Sequence, residues 1–175
     1  MIEIFDQLAK LDLKDILGYV IESEKAARAF YLDLAKSAPG LAAIRLENLA
    51  REEEKHEKTV REVYKTKFGE KSYTVPKELP PLESSAKVTT VNSLIHALET
   101  AMHNEDNAYR VYTYLSNKDK ENQKLWKYLA SMEKTHYDIV KTEKESYEAQ
   151  VVESSYLIDK TPGELWMAMY RFPPT

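Results

Sequence analysis

The chain has 175 residues, enough for one domain with a sizeable core, and its 4 glycines and 7 prolines against 31% charged residues favour long helices over a sheet-rich fold. A formal net charge of −4 argues against nucleic acid as a partner, and with no cysteine the chain has no disulfide, no cysteine-ligated iron–sulfur cluster and no thiolate nucleophile. No apolar run approaches transmembrane length, and the opening Met1-Ile-Glu-Ile-Phe-Asp6 lacks the basic region of a signal peptide, so the expectation is a soluble cytoplasmic protein with no membrane partner.

Residues 1–11 read as a short lead-in with at most one turn of helix. Asp12 can then cap a first long helix, with Asp15 three residues on. Leu13, Ile16, Val20, Glu24, Ala27, Tyr31 and Leu34 follow steps of three and four, so they share one face, and only Glu24 interrupts its apolar character. Ser37-Ala-Pro-Gly40 should end this helix. A second helix is expected from about Leu41 to Phe68, with the stripe Leu46, Leu49, Glu53, His56, Val60 and Val63. The turn between the two is short, which predicts an antiparallel hairpin.

Residues 68–89 carry Gly69 and the run Val-Pro-Lys-Glu-Leu-Pro-Pro, and no regular structure is expected there. So long a loop needs a geometric reason. A helix of this length spans about 40 Å, whereas the extended linker reaches roughly 70 Å. It can therefore cross the whole bundle and make helices two and three parallel. Helix three begins near Thr90 with the stripe Leu94, Leu98, Ala101, Glu105, Ala108, Tyr112 and Leu115, again broken once, by Glu105. Asn117-Lys-Asp119 is a turn, with Asp119 a candidate cap. Helix four carries Leu125, Leu129, Glu133, His136 and Val140 towards Gln150 or beyond. This divides the chain into a bundle, residues 1–150, and a tail, residues 151–175. In the tail Thr161-Pro-Gly-Glu164 combines an N-cap, Pro at the first helical position and Glu at the third, and introduces the apolar Leu165-Trp-Met-Ala-Met-Tyr-Arg-Phe172. A short amphipathic helix is expected there. It is too short to stand alone, so it should dock on the bundle or on a second copy of the chain. A homo-oligomer follows as the expectation, with a dimer favoured.

The two halves repeat. Leu49-Ala-Arg-Glu-Glu-Glu-Lys-His56 and Leu129-Ala-Ser-Met-Glu-Lys-Thr-His136 place Leu, Glu and His at one spacing, and Glu24-x-x-Ala27-x-x-Phe30-Tyr31 returns as Glu105-x-x-Ala108-x-x-Val111-Tyr112. A Glu-x-x-His pair is weak evidence by itself, and any one of these groups alone could be a stripe-edge carboxylate or a satisfied core histidine. Four carboxylates and two imidazoles on stripes that meet in one core are another matter. Buried carboxylates are costly unless paired or bound to a cation, and two divalent ions balance four such charges. Glu24, Glu53, His56, Glu105, Glu133 and His136 are therefore the candidate metal ligands. The remaining histidines are weaker. His103 reads as a surface partner of Glu99, and His96 as a non-ligand. Tyr109, one turn after Glu105, is a candidate neighbour of the site.

The pattern Glu…Glu-x-x-His, long crossover, Glu…Glu-x-x-His resembles the ferritin-like di-iron carboxylate proteins, a constellation known for such bundles. Within them the segments Glu24-Lys-Ala-Ala-Arg-Ala-Phe-Tyr31 and Leu49-Ala-Arg-Glu-Glu-Glu-Lys-His56 are most similar to the di-iron domain of rubrerythrin, over roughly residues 12–147. The resemblance implies an all-α, ferritin-like four-helix bundle with one long crossover and, here, a short C-terminal helix. It implies two Fe ions bridged by Glu53 and Glu133, with Glu24 and Glu105 terminal and His56 and His136 on one iron each. Mn, Co or Zn suit the same donors. It further implies an oxidoreductase reducing hydrogen peroxide or dioxygen. Two departures qualify this. Rubrerythrins usually carry a cysteine-ligated rubredoxin domain, so here electrons must come from a separate donor protein or small molecule. They also tend to have a further Glu three residues after the third-helix ligand, where this chain has Ala108. The simpler six-ligand set is closer to bacterioferritin-type sites and keeps ferroxidase or iron-binding function open. A purely structural metal in an interaction module is a third reading.

Overall fold

The computed structural model describes residues 4–69, 72–76, 85 and 87–158. These form helices α1 (Ile4–Leu8), α2 (Leu13–Ser37), α3 (Gly40–Phe68), α4 (Val91–Lys118) and α5 (Gln123–Ile158), with no strand among the described residues. The four long helices are those expected, and α1 is the single turn of the lead-in. No helix among the described residues is long and apolar enough to cross a membrane.

The helix ends follow local chemistry. Asp12 Oδ1 accepts the Asp15 N–H at 2.8 Å, so α2 starts on a side-chain cap. Thr90 and Ser93 cap α4 reciprocally. Gly69, at φ 68°, closes α3 in the left-handed region and donates its N–H to the Lys65 carbonyl at 2.8 Å. Asp119 is a cap, the C-cap of α4, its N–H donating to the Leu115 carbonyl at 2.8 Å. Its carboxylate accepts the Trp126 indole N–H and the Asn122 amide, both at 2.9 Å, and meets Lys67 Nζ at 3.0 Å. The turn is thus tied to the core and to the end of α3.

α2 packs mainly on α3, and α4 on α5, giving two antiparallel hairpins laid side by side. Their core has two apolar layers. At one end Leu17, Ile21, Val60, Tyr64, Leu115, Trp126 and Leu129 pack together. At the other end Phe30, Leu34, Leu46, Leu49, Leu94, Leu98 and Val140 do so. Each long helix contributes to both layers, and the order in which it does so gives its direction. α3 and α4 both run from the second layer to the first and are therefore parallel.

The crossover links the two ends. Leaving α3, it lies on α2: Tyr73 Oη donates to Glu22 Oε2 at 2.7 Å, and its ring stands edge-on to Tyr64 with centroids 6.3 Å apart. At Gly18 a Cβ would fall 2.2 Å from the Thr74 carbonyl oxygen, so only glycine lets the strap lie this close. Val88, just before α4, packs in the opposite apolar layer. The chain has travelled the length of the bundle.

α5 runs eight residues past Gln150 to Ile158, so no break separates the expected bundle and tail at 150 and 151. The amphipathic helix expected at 161–172 lies outside the described residues.

Candidate metal centre

Between the two apolar layers sits one polar layer. Glu24, Glu53, His56, Glu105, Glu133 and His136 are all buried, Glu53, Glu133 and His136 to 1% exposure. Each stripe that carries apolar side chains above and below carries one or two of these side chains at mid-length. The helical period that buries Leu49 and Val60 therefore also buries Glu53 and His56.

The layer has a local two-fold arrangement. His56 Nδ1 lies 2.8 Å from Glu133 Oε1, 3.3 Å from Glu53 Oε2 and 3.7 Å from Glu24 Oε2. His136 Nδ1 repeats this, at 2.8 Å from Glu53 Oε1, 3.5 Å from Glu133 Oε2 and 3.7 Å from Glu105 Oε2. The two imidazoles are nearly parallel, with centroids 5.3 Å apart. Glu53 and Glu133 thus straddle the rings, one oxygen turned to each. Glu24 serves only His56, and Glu105 only His136.

Two tyrosines complete the arrangement. Tyr112 Oη donates to Glu24 Oε1 at 2.6 Å, and Tyr31 Oη donates to Glu105 Oε1 in a very short bond. The exchange is crosswise, each half of the repeat holding the other's carboxylate. It fixes one oxygen of each terminal Glu and leaves Oε2 facing an imidazole. Burial first, then the neighbouring carboxylates, raise both phenols well above their ordinary pKa, so they remain donors. Both lie on the stripes noted in the sequence, but there they read as core aromatics. Their offset of 81 residues, the same as that of Glu24 and Glu105, was the available signal. Tyr109, the tyrosine singled out instead, is 38% exposed. Glu99 has His96 at 3.7 Å as its ion-pair neighbour, in place of the His103 expected, and both histidines are exposed.

Electrostatically, so many ionisable groups in one dry layer must share protons. Burial pushes the Glu24 carboxyl up to about 7, against the pull of His56. Glu53 and Glu133 divide. Burial and the charge of Glu53 drive Glu133 well above the carboxylate range, while the two imidazoles outweigh burial at Glu53 and hold it charged. Burial works to lower both imidazoles, but the carboxylates around each raise them overall, His56 through Glu133, Glu24 and Glu53 and His136 through Glu105, Glu133 and Glu53.

The donor set fits a metal pair. Glu53 Oε1, Glu105 Oε2, Glu133 Oε1 and the Nδ1 atoms of His56 and His136 are buried without a hydrogen-bond partner, although they approach one another to 2.8–3.7 Å. They are close but not aligned as donor and acceptor, as lone pairs converging on cations would be. Glu53, His56, Glu133 and His136 each offer a ligand atom within 4.8 Å of the others. Two donors on one ion, each about 2.0–2.2 Å from it, lie at most about 4.4 Å apart, and the 2.8–3.7 Å approaches of the carboxylates to the two imidazoles satisfy that. Carboxylate and imidazole donors suit Fe, Mn, Co or Zn.

The sequence model of a family described as Rubrerythrin matches residues 15–144, which contain all six side chains. The fold is similar to a solved structure of a hypothetical protein from Pyrococcus furiosus, with TM-score 0.78 and 32% identity over 83% of this chain and 96% of that one. No curated protein is significantly similar to the chain.

Proposed function

This chain belongs to the rubrerythrin family, and from that premise we propose that it is a di-iron carboxylate oxidoreductase, reducing hydrogen peroxide or dioxygen with electrons from an external donor. The observation that carries the reading is the straddling of both imidazoles by Glu53 and Glu133, one oxygen to each ring. Placed so, Glu53 and Glu133 would be shared between the two ions. Glu24 with His56, and Glu105 with His136, would complete the two ends. The chemistry such a pair supplies when bound is a two-electron reduction, one electron from each ferrous ion.

The protein's own groups prepare that layer. Tyr31 and Tyr112 orient the terminal carboxylates through Oε1 and keep Oε2 free. The apolar layers on either side limit water and strengthen every charge interaction between them. Two neutral imidazoles and four carboxylates balance two divalent ions, so metal uptake must release the protons that the cluster otherwise holds. The 175 residues include no cysteine to hold an iron–sulfur relay, so electrons for re-reduction would come from outside them.

Metal analysis of protein purified without added iron, followed by stopped-flow mixing of the diferrous form with peroxide and with dioxygen, tests the reading. Two irons per chain and faster oxidation by peroxide support it. Faster reaction with dioxygen, with iron retained as product, would assign ferrous-iron oxidation instead. A metal pair inert to both oxidants would leave the metal a structural role.

A further inference from the structure

The local two-fold symmetry fails beside Glu24. There, between α2 and α4, lies a cavity of which ≈ 10 Å³ is open to the centre of a water molecule, about the room of one water. Its inner wall is Glu24, Val111 and Tyr112, each at most 3% exposed, and its mouth is Ser23, Asn107 and Ala108, all half-buried. The Glu105 side is built differently. Phe30 stands at the place of Val111, is 2% exposed and sets its ring edge-on to Tyr31, the tyrosine that holds Glu105. Ala26, 7% exposed, stands where the mouth has Asn107. A large apolar side chain thus occupies on one side the ground that a small one leaves open on the other.

Size and chemistry identify the occupant. The cavity is too small for an organic substrate. Its lining is mostly apolar, but Ser23, Asn107 and Glu24 place a hydroxyl, an amide and a carboxylate around it, so a bound water would find polar partners there. We propose that this cavity is the binding pocket for a water-sized, uncharged oxygen species, which reaches the site beside Glu24, whereas Phe30 stands at the equivalent place beside Glu105. This rests on the oxidoreductase reading above and adds to it a direction of approach. Ala108 is what keeps the pocket open, because any longer side chain there would enter it.

The test uses nitric oxide, a neutral diatomic, as the probe. It is added to the full-length ferrous protein and binding is followed by visible absorption. Ala108→Leu fills the pocket from α4, Ser23→Leu closes it from α2, and Ala27→Leu makes the change related to Ala108→Leu by the repeat. At equal iron content Ala108→Leu or Ser23→Leu should slow nitric oxide binding at least about tenfold, and Ala27→Leu should leave it within about twofold. A crystal structure of the metal-free protein should hold one ordered water in the pocket, and that of metal-free Ala108→Leu none. Unchanged nitric oxide binding in both pocket variants, equal slowing by Ala27→Leu, or a pocket without ordered water overturns the inference and leaves the metal site standing. A chain that takes up no metal pair overturns the oxidoreductase reading, and this inference with it.

Discussion

The apolar layers and the polar layer of this bundle are made by the same helices at the same spacing, yet they have opposite energetic signs. Around Trp126 and Tyr64 every buried side chain adds stabilisation by leaving water. One to two turns away Glu24, Glu53, Glu105 and Glu133 are equally buried, and each costs stability unless its charge is matched. The apolar layers hold the fold, and the fold holds the polar layer in a geometry it would not choose alone. Substitutions in the two kinds of layer should therefore have different signatures.

The largest effect is expected in the apolar layer. Trp126 is fully buried and its indole N–H bonds Asp119 at 2.9 Å. Trp126→Ala should cost about 3–5 kcal/mol in urea unfolding, with or without metal. A loss below about 1 kcal/mol, the scale of a surface substitution, would mean that this layer does not hold the fold.

Next in size is the pH dependence of the polar layer. Glu24 is raised from 4.5 to about 7, so its contribution to the metal-free fold is present below pH 4.5 and lost as pH rises through 7. His136, raised from 6.5 to about 12, acts in the same direction, its contribution being lost from pH 6.5 upwards. Metal-free protein should lose stability between pH 5 and pH 8, on the order of 3 kcal/mol from Glu24. Metal-loaded protein should gain over the same range, because ions compete with protons for the donors. Melting curves in chelator and in excess Zn at both pH values check this, and parallel curves would contradict it.

Glu133→Gln sharpens the contrast. The amide resembles the neutral acid that burial favours at this position. Metal-free stability should therefore change by less than about 1 kcal/mol, while a bridging oxygen is lost and metal stoichiometry by elemental analysis falls below two per chain. A destabilised metal-free protein that still binds two ions would reverse the argument. The smallest effect is expected for Tyr112→Phe, which removes only the 2.6 Å bond to Glu24. It should weaken metal binding about tenfold and lower stability by about 1 kcal/mol. The same loss from Tyr109→Phe would show that the crosswise tyrosines are not what matters.

Much of this was legible in the sequence, and the limits have physical causes. The four long helices and the convergence of six polar side chains could be read because periodicity reports which face is buried, and Glu24, Glu53 and His56 sit on buried faces with counterparts 80 or 81 residues on. The crossover was readable from length alone, since no shorter path rejoins the far end. Tyr31 and Tyr112 were not recognised as partners of the terminal carboxylates. A stripe says that a tyrosine is inside, but not which neighbouring helix its hydroxyl reaches, and here each hydroxyl reaches the other half. Asp119 is a related case. It does cap α4 through its backbone N–H, but that its carboxylate takes a buried indole and Lys67 could not be read from its place in the turn. The pocket beside Glu24 depends on the difference between Val111 and Phe30 across a symmetry that only the fold defines.

The crossover supplies none of the six side chains of the polar layer, yet it joins the two halves that do. Glu24, Glu53 and His56 come from one hairpin, and Glu105, Glu133 and His136 from the other. As separate peptides these hairpins would have to find each other at second order, and the dinuclear layer would thin out on dilution. A tether of this kind makes the encounter intramolecular, at an effective concentration in the millimolar range. Tyr73 and Thr74, laid along α2 at Gly18, hold that part of the tether against the first hairpin. Assembly of the two halves thereby becomes independent of how much protein is present.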